Sequence, residues 1–377
     1  MDQVIQNFHM NGGTSGTIIL KTRSILEEAI LSILPKLYNN SIISATISNK
    51  PRKTTIGIAE LGCSSPNALL AISHILEIIY SKHYEFSSGV TPEILVFLND
   101  LPSNDFNTLF KDVQKFCNEL KRTKGDGFGP CFVAGMPGTF YGRLFPSDTL
   151  HIVHSSLSLH WSSQVPQGIE ETNKGNFYIA KSSPPSVITA YLNQFKKDFM
   201  VFLECRSEEL VDGGRMVLTL LGRSSSDPTS KDCCSFWELL AQSAHDMVLQ
   251  GAIAEEKLNS FNIPKYFPSP EEVKTVIRNE GSFKIDQLEI FHVNWDGNDP
   301  KEDDNSMTNK LRSSISSANL FRAVSEPLLA NHFGEDIIMD TLYGRLRERI
   351  EEYATTEKTE FTNLVISMTK VEKNLIL

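Results

Sequence analysis

The chain has 377 residues, 40% of them hydrophobic and 22% charged, a composition typical of a globular protein with one large α/β domain or two ordinary domains and not of a disordered or fibrous chain. Its 46 acidic and 36 basic residues leave a formal net charge of −10 with no concentrated basic stripe, so we expect no nucleic-acid partner. No apolar run reaches the length of a bilayer span, and the first residues, MDQVIQNFHMNGG, lack the features of a leader peptide, so we expect no membrane partner and a cytoplasmic location.

The predicted elements alternate between strands and helices over the first two thirds of the chain. The helix ILEEAILSILPKLYNN precedes the strand TIGIAEL, which is followed by the helix ALLAISHILEIIY and the strand EILVFLND. The strands CFVAGM, TLHIVHSS and GGRMVLTLLG come next. Short apolar strands separated by amphipathic helices predict an α/β fold with a doubly wound, largely parallel sheet.

Helical periodicity dominates from about residue 227 onward. The predicted helices are SFWELLAQSAHDMVLQGAI, SPEEVKTVIRNEG, LFRAVSEPLLANHFG and MDTLYGRLRERIEEYAT. This is more helix than the sheet alone requires, so we predict an α-helical cap over its crevice. The acidic segment WDGNDPKEDDNSMTNK, around residues 295–310, is predicted to be a mobile loop of that cap.

Polar residues follow two of the predicted strands, where ligands of doubly wound sheets bind. Glu60 ends the first strand, and its carboxylate suits ribose hydroxyls or an ammonium group. Gly62 follows and permits a tight turn and a close backbone approach. Asp100, past the next strand, is placed to hold a second polar edge of the same ligand. Both have plainer interpretations, an ordinary strand-to-helix turn and a solvated loop aspartate.

Nine segments, in the same order from end to end, resemble the SABATH family of plant small-molecule methyltransferases. They are HMNGG (9–13), AELGCSSPN (59–67), FLNDLPSNDFN (97–107), MPGTFYGRLFP (136–146), HSSLSLHWSSQVP (154–166), NKG (173–175), GGRMVLTLLGR (213–223), SFNIPKYFPSPEEV (260–273) and EPLLANHFGE (326–335). The family includes salicylic, benzoic and jasmonic acid carboxyl methyltransferases and caffeine-pathway N-methyltransferases.

The resemblance implies a Rossmann-like sheet with a helical cap, S-adenosylmethionine (SAM) as methyl donor, a small acid or alkaloid as acceptor, and a homodimer. It divides the chain into a core with an N-terminal lid segment (1–226), a mainly α-helical cap (227–345), and a C-terminal helix and strand that return to the core sheet (346–377).

The resemblance also implies two sets of site residues. The cofactor would contact Glu60, Gly62, Asn67, Asp100, Leu101, Thr139, Phe140 and Ser155. The acceptor would contact Leu26, Leu157, His160, Trp161, Leu221, Phe236, Trp237, Phe321 and Phe361. His160 and Trp161 are the expected catalytic residues, because their ring N–H groups could hold an acceptor carboxylate that needs no general base. A structural His-Trp pair and an ordinary Phe-Trp core are the plainer interpretations.

Departures from the family pattern cluster on the cofactor side. A glycine is missing between Ser65 and Pro66, and Glu60 replaces an aspartate. The lid carries Ile18, Ile19 and Leu20 where the family usually has Ser-Tyr-Ala, then Thr22 and Arg23 in place of Asn-Ser, and Leu26 in place of Gln. Arg23 would bring a cation toward the sulfonium. These changes predict weakened SAM binding. Two hypotheses therefore stay open: a divergent active methyltransferase, or a paralogue that has lost methyl transfer and binds or converts a metabolite, as a cyclase or isomerase would, in the retained aromatic pocket.

No metal cofactor is expected. The six cysteines lack metal-clip spacing, and Asn259 stands where some family members have an aspartate near a divalent ion. The weak candidate ligands are Asn173, Asn259, Phe261 and Asn262.

Overall fold

The computed structural model of the protein describes residues 13–48, 55–63, 67–86, 91–124, 129–297, 307–334 and 336–372. The strands are β1 (Thr55–Leu61), β2 (Glu93–Asp100), β3 (Cys131–Pro137), β4 (Leu150–Ser156), β5 (Leu210–Leu221), β6 (Phe283–Asn294) and β7 (Glu360–Lys370). The helices are α1 (Gly13–Lys21), α2 (Arg23–Ser48), α3 (Asn67–Phe86), α4 (Phe106–Lys124), α5 (Pro185–Glu209), α6 (Lys231–Leu249), α7 (Glu255–Ser260), α8 (Pro270–Glu280), α9 (Met307–Phe333) and α10 (Asp336–Tyr353).

The strands form one seven-stranded sheet in the order β3-β2-β1-β4-β5-β7-β6. Strands β1 to β5 pair in parallel, whereas β7 is antiparallel to both β5 and β6. The chain runs outward from β1 to β3 and then returns to place β4 on the other side of β1. This reversal opens a crevice at the carboxyl ends of β1 and β4, and the predicted doubly wound sheet is confirmed.

Apolar side chains cover both faces of the sheet. On one face, α2, α3 and α4 pack against buried side chains such as Ile58 and Val96. On the other face, α5, α6 and α8 join the cap helices α9 and α10 in the larger core cluster. Because both faces are covered, the inner parallel strands are apolar on both sides, and six consecutive residues of β1 are buried.

Local sequence explains both ends of helix α8. Helix α8 begins with a capping box, in which the Ser269 side chain accepts from the Glu272 N–H and the Glu272 side chain accepts from the Ser269 N–H. The helix ends at Gly281, whose φ of 85° is left-handed. The capping box therefore sets where α8 begins, after the loop that lines the crevice, and Gly281 sets where it ends, before β6.

The predicted cap range, 227–345, is mostly helical but also contributes a strand to the core. Strand β6 pairs with β7 along its whole length, from Phe283 opposite Lys370 to Asn294 opposite Glu360. Helix α10 crosses the predicted boundary at residue 345. Of the acidic segment predicted to be mobile, residues 298–306 lie outside the described residues, and α9 begins at Met307. No helix in the described ranges is long and apolar enough to cross a membrane.

Candidate functional site

The first strand leads into a tight turn at Gly62, whose φ is 80°. The N–H groups of Gly62 and Cys63 both donate to the Asn99 carbonyl at 2.9 Å, which ties the turn to the end of β2. A Cβ atom on Gly62 would lie 2.0 Å from Oγ of Ser158, so the backbone angle and the close approach both require glycine. Residues 64–66, where the missing glycine falls, lie outside the described residues, and Asn67 is the first residue of α3.

Glu60 is engaged by a neighbouring strand. Its Oε2 lies 2.6 Å from Nδ1 of His154, which is the register partner of Glu60 on β4. Both side chains are almost fully buried. Burial raises the pKa of Glu60, and His154 opposes that shift. The predicted ribose or ammonium ligand would therefore have to share this carboxylate with His154.

Asp100 holds an unused carboxylate oxygen at the end of β2. Its Oδ1 accepts a 2.7 Å hydrogen bond from the Leu101 N–H, whereas Oδ2 is buried without a partner among the described residues. Burial raises the pKa of Asp100, and the bond from Leu101 opposes the rise. Leu101 itself is 52% exposed. An orphaned oxygen beside an exposed apolar side chain suits a ligand with a hydroxyl edge and a flat face.

The loop after β3 carries two further predicted cofactor residues. Thr139 accepts a hydrogen bond from the Tyr141 N–H at 3.2 Å, and the half-buried Phe140 ring packs edge-on against Tyr141. Fully buried Arg206 donates to the Phe140 carbonyl at 3.1 Å and pairs with Glu209. This buried ion pair therefore holds the loop beside the crevice.

Neighbouring serines at the end of β4 have different roles. Oγ of Ser155, a predicted cofactor contact, donates to the Leu61 carbonyl at 2.9 Å and so joins β4 to β1. Ser156 lines the cavity, and its buried Oγ has no partner among the described residues. Successive side chains of a strand point to opposite faces, so only one of the pair can face the cavity.

The lid is apolar, as the sequence predicts. Ile18 and Ile19 of α1 are buried and line the cavity. Arg23 instead donates to Oε2 of Glu77 on α3 at 3.2 Å, so its charge is directed at a carboxylate and the predicted approach to a sulfonium is wrong. Leu26 is 1% exposed in the core cluster between α2 and α3 and is not among the cavity-lining residues.

A cavity of about 380 Å³ lies between the crevice and the cap, large enough for a small ligand. At one end it is lined by Glu60, Gly62 and Ser156. Eight of the nine predicted acceptor residues line it as well: Leu157, His160, Trp161, Leu221, Phe236, Trp237, Phe321 and Phe361. Tertiary structure thus brings together side chains from β4, β5, α6, α9 and β7.

Aromatic rings form the cap side of this cavity. Phe321 stacks on Phe236 and meets Phe361 edge-on at 5.4 Å between ring centroids. Phe236 also meets Trp237 edge-on at 4.9 Å. Leu157, on the sheet side, adopts a left-handed φ of 59°, which costs a branched residue about 1–2 kcal/mol. Strain of this kind is held by surrounding packing, here by the 2.8 Å bond from the Leu157 N–H to the carbonyl of Thr219.

His160 and Trp161 sit together at the sheet side of the cavity. His160 is 3% exposed, and its pKa lies well below the ordinary value because burial and the nearby Lys265 disfavour a charged ring. Its Nδ1 accepts the Leu221 N–H at 3.3 Å, so the neutral ring carries its proton on Nε2. Tyr141 donates to the Trp161 carbonyl at 2.5 Å, which fixes the backbone of this pair.

Three of the four weak metal candidates contact other residues of the protein. Nδ2 of Asn173 donates to Oδ1 of Asn262 at 2.7 Å, and Ser183 donates to Oδ1 of Asn173 at 2.7 Å. Phe261 packs edge-on against an aromatic neighbour, and Asn259 is a half-buried residue of α7. In the described ranges no group of three or more His, Cys, Asp or Glu side chains is placed to hold an ion.

Sequence reasoning missed Lys265. This lysine is 3% exposed, lines the cavity, and places Nζ 3.6 Å from the centroid of the Trp161 ring. Its signal is a single charged residue inside the mostly apolar run FNIPKYF. Ser156, Asp232 and Phe267 are further lining residues that were not predicted.

The chain is similar over nearly its whole length to carboxyl methyltransferases. The family model described as SAM dependent carboxyl methyltransferase matches residues 5–371. The chain is 45% identical over 372 residues to the Petunia hybrida S-adenosyl-L-methionine:benzoic acid/salicylic acid carboxyl methyltransferase 3, covering 98% of this chain and 99% of that protein. It is 46% identical over 376 residues to probable jasmonic acid carboxyl methyltransferase 1 of Theobroma cacao, with the same coverage. The solved structure of loganic acid methyltransferase with SAH matches with a TM-score of 0.77 and 29% identity, covering 96% of this chain and 95% of that one.

Proposed function

The chain belongs to the SAM-dependent carboxyl methyltransferase family, and from this premise we propose that it methylates the carboxylate of a small, largely apolar acid of plant specialised metabolism. The observation that carries the proposal is the shared cavity, which is lined at one end by the turn after β1 and at the other by aromatic side chains. A methyl donor at the turn and a flat acid among the rings would lie in one cavity, as direct transfer requires. The names of the relatives, which are acid methyltransferases, favour a carboxylate over a ring nitrogen.

The residues at the strand ends fit the adenosine half of SAM. The free Oδ2 of Asp100 would accept a ribose hydroxyl, while Leu101 and Phe140 offer apolar surface to the base. Thr139 lies in the same loop as Phe140. When bound, SAM supplies a methyl group on a positively charged sulfonium, which makes that methyl electrophilic.

The acceptor side needs no general base, because an ionised acid is already a nucleophile. The work left to the protein is to orient the carboxylate and to exclude water. His160, with its proton on Nε2, and Trp161, with its indole N–H, are the donors that would hold the carboxylate oxygens. Phe236, Phe321 and Phe361 enclose the apolar part of the acid.

A second function, in which methyl transfer has been lost and the pocket serves another reaction or simple binding, is favoured by the state of the donor end. There Glu60 is paired with His154, so a cofactor would have to compete for its carboxylate. The buried Ile18 and Ile19 of the lid donate no side-chain hydrogen bonds. Each charge-assisted hydrogen bond not made would cost about 1.5–3 kcal/mol of affinity.

Calorimetric titration with S-adenosylhomocysteine, together with mass-spectrometric detection of esters from benzoate, salicylate and jasmonate, tests both functions. Micromolar binding and SAM-dependent ester formation are expected. The absence of heat at millimolar nucleoside, with no ester from any acid, would reject methyl transfer in favour of the second function. Phe321→Ala is the variant that should alter which acids are turned over without changing nucleoside affinity, because Phe321 lies on the cap.

We also propose that the protein is a cytoplasmic homodimer. The family resemblance supports the dimer, and the six free cysteines, including adjacent Cys233 and Cys234, suit a reducing compartment. Light scattering on the purified chain should give twice the monomer mass of 42.2 kDa, and a single-chain mass would refute the dimer. A fluorescent fusion retained in an organelle would refute the location.

A further inference from the structure

Lys265 is held rigidly against the catalytic pair. It forms an antiparallel bridge with Trp161, and the residues on either side are bonded across: the Tyr266 N–H donates to the His160 carbonyl at 2.9 Å, and the Ser162 N–H donates to the Pro264 carbonyl at 2.8 Å. The side chain is 3% exposed and lines the cavity. The backbone therefore keeps this lysine beside the place where an acceptor would bind.

Lys265 differs from the other buried lysine and arginine side chains because no carboxylate among the described residues pairs with it. Four lysine and arginine side chains are almost fully buried in the part of the chain that the structure describes: Arg206, Arg223, Lys265 and Lys370. Three of them have carboxylate partners: Arg206 pairs with Glu209, Arg223 with Glu272, and Lys370 with Asp148 and Asp212. Nζ of Lys265 instead faces aromatic rings, at 3.6 Å from the centroid of Trp161 and 5.1 Å from that of Trp237. Aromatic faces offset only part of the cost of burying a charge.

The carboxylates that line the cavity do not supply the missing charge. Glu60 is bonded to His154, and Oδ2 of Asp232 accepts the N–H and hydroxyl of Ser224 at 2.8 and 2.9 Å. The other titratable groups lining the cavity are His160, Lys231 and Cys233, and none is an anion that pairs with Nζ of Lys265. Burial accordingly holds the pKa of Lys265 well below its ordinary value.

We propose that Lys265 anchors the carboxylate of the acceptor acid and selects ionised acids over their neutral analogues. The inference rests on the proposed function for the nature of the acceptor. An incoming carboxylate provides the absent counter-charge in a dry site, where Trp161 and His160 supply further N–H donors. The bound anion opposes the lowering of the Lys265 pKa by burial, so binding favours protonation of the amine. Methylation removes the negative charge of the acid, so the ion pair is lost, the proton is released, and the neutral ester leaves.

This role predicts a particular kinetic signature. The negative charge of the acceptor diminishes as the oxygen–methyl bond forms, so the ion pair is stronger in the bound acid than in the transition state. Lys265 therefore contributes mainly to binding of the acid, and its loss should raise KM without lowering kcat in proportion. One charge-assisted hydrogen bond corresponds to about a 10- to 150-fold change in affinity.

The test compares three proteins, wild type, Lys265→Met and Lys231→Met, by calorimetric titration at pH 8 with benzoate, salicylate and jasmonate and with the primary amide of each. Lys231 is the matched control, because it also lines the cavity but its Nζ is paired with Glu357. Wild type should bind at least one acid at least tenfold more tightly than its amide. Lys265→Met should abolish that preference, whereas Lys231→Met should change it less than twofold.

Lys265→Met could also lose acid binding because the substitution disturbs the fold, so two further measurements test the proposal. Titrations of wild type in buffers of different ionisation enthalpy should show net proton uptake when the acid binds. The thermal midpoint of unliganded Lys265→Met should equal or exceed that of wild type, because an apolar side chain replaces an unpaired buried amine. The proposal is overturned if no acid is preferred over its amide, if Lys265→Met keeps the preference, or if no proton is taken up. These binding readouts do not depend on methyl transfer, so failure of the methyltransferase assignment would be seen separately in the ester assay.

Discussion

Truncation of Phe321 to alanine should both destabilise the protein and widen its acceptor pocket. Phe321 is 5% exposed on α9, stacks on Phe236, and meets Trp295 and Phe361 edge-on at 5.6 and 5.4 Å. Buried Phe→Ala changes cost about 3–5 kcal/mol, and the lower figure applies because one side of this ring borders a cavity. With about 2.1 cal/mol/K of unfolding entropy per residue over 377 residues, a loss of about 3 kcal/mol lowers Tm by about 4 °C.

The same truncation removes one wall of the pocket that would hold a small acid. Loss of about 1.4 kcal/mol of contact would raise the KM for benzoate about tenfold, while jasmonate, which is bulkier, should lose less or improve. Differential scanning fluorimetry and steady-state ester formation measure the two effects. Leu328→Ala, on an exposed position of the same helix, is the matched control and should shift Tm by less than about 1 °C. If Phe321→Ala leaves both Tm and the KM for benzoate unchanged, the ring does not wall the cavity and the acceptor site has been misplaced.

Three further outcomes follow from the donor end of the cleft. Gly62→Ala should abolish S-adenosylhomocysteine binding in calorimetry, because a left-handed φ and a Cβ 2.0 Å from Oγ of Ser158 both oppose any side chain; retained affinity would contradict this. Glu209→Gln should lower Tm by about 4–6 °C, since it leaves Arg206 buried and unpaired at a cost of about 3–5 kcal/mol; a shift under about 1 °C would be inconsistent with a buried pair. Nucleoside affinity should be full above the raised pKa of Asp100 and should fall as the pH drops through that pKa, which happens at a higher pH than for an ordinary aspartate. Asp100→Asn should remove this loss of affinity at low pH. An unchanged pH profile in that variant would assign the loss to another group.

Local pattern in the sequence was enough to predict the parallel part of the sheet, but not strand β6, which falls inside the predicted cap range. The alternation of TIGIAEL, EILVFLND and CFVAGM with helices predicts parallel strands, because period-2 and period-3.6 patterns depend only on neighbouring residues. The family resemblance named nine acceptor residues, and eight of them line the cavity. It could not show that Leu26 lies in the core, since burial is decided by which helix packs on which.

Only the tertiary structure decided how the charged residues are paired. Glu60 meets His154 across 94 positions of sequence, Arg23 meets Glu77 across 54, and neither pairing has a local signal. Sequence shows Lys265 as the one charged residue of FNIPKYF, whereas the fold buries it beside Trp161 without a carboxylate partner among the residues that the structure describes. A charge has little free-energy cost in water and a large one in a dry cavity, so its effect depends on the surroundings that long-range packing creates.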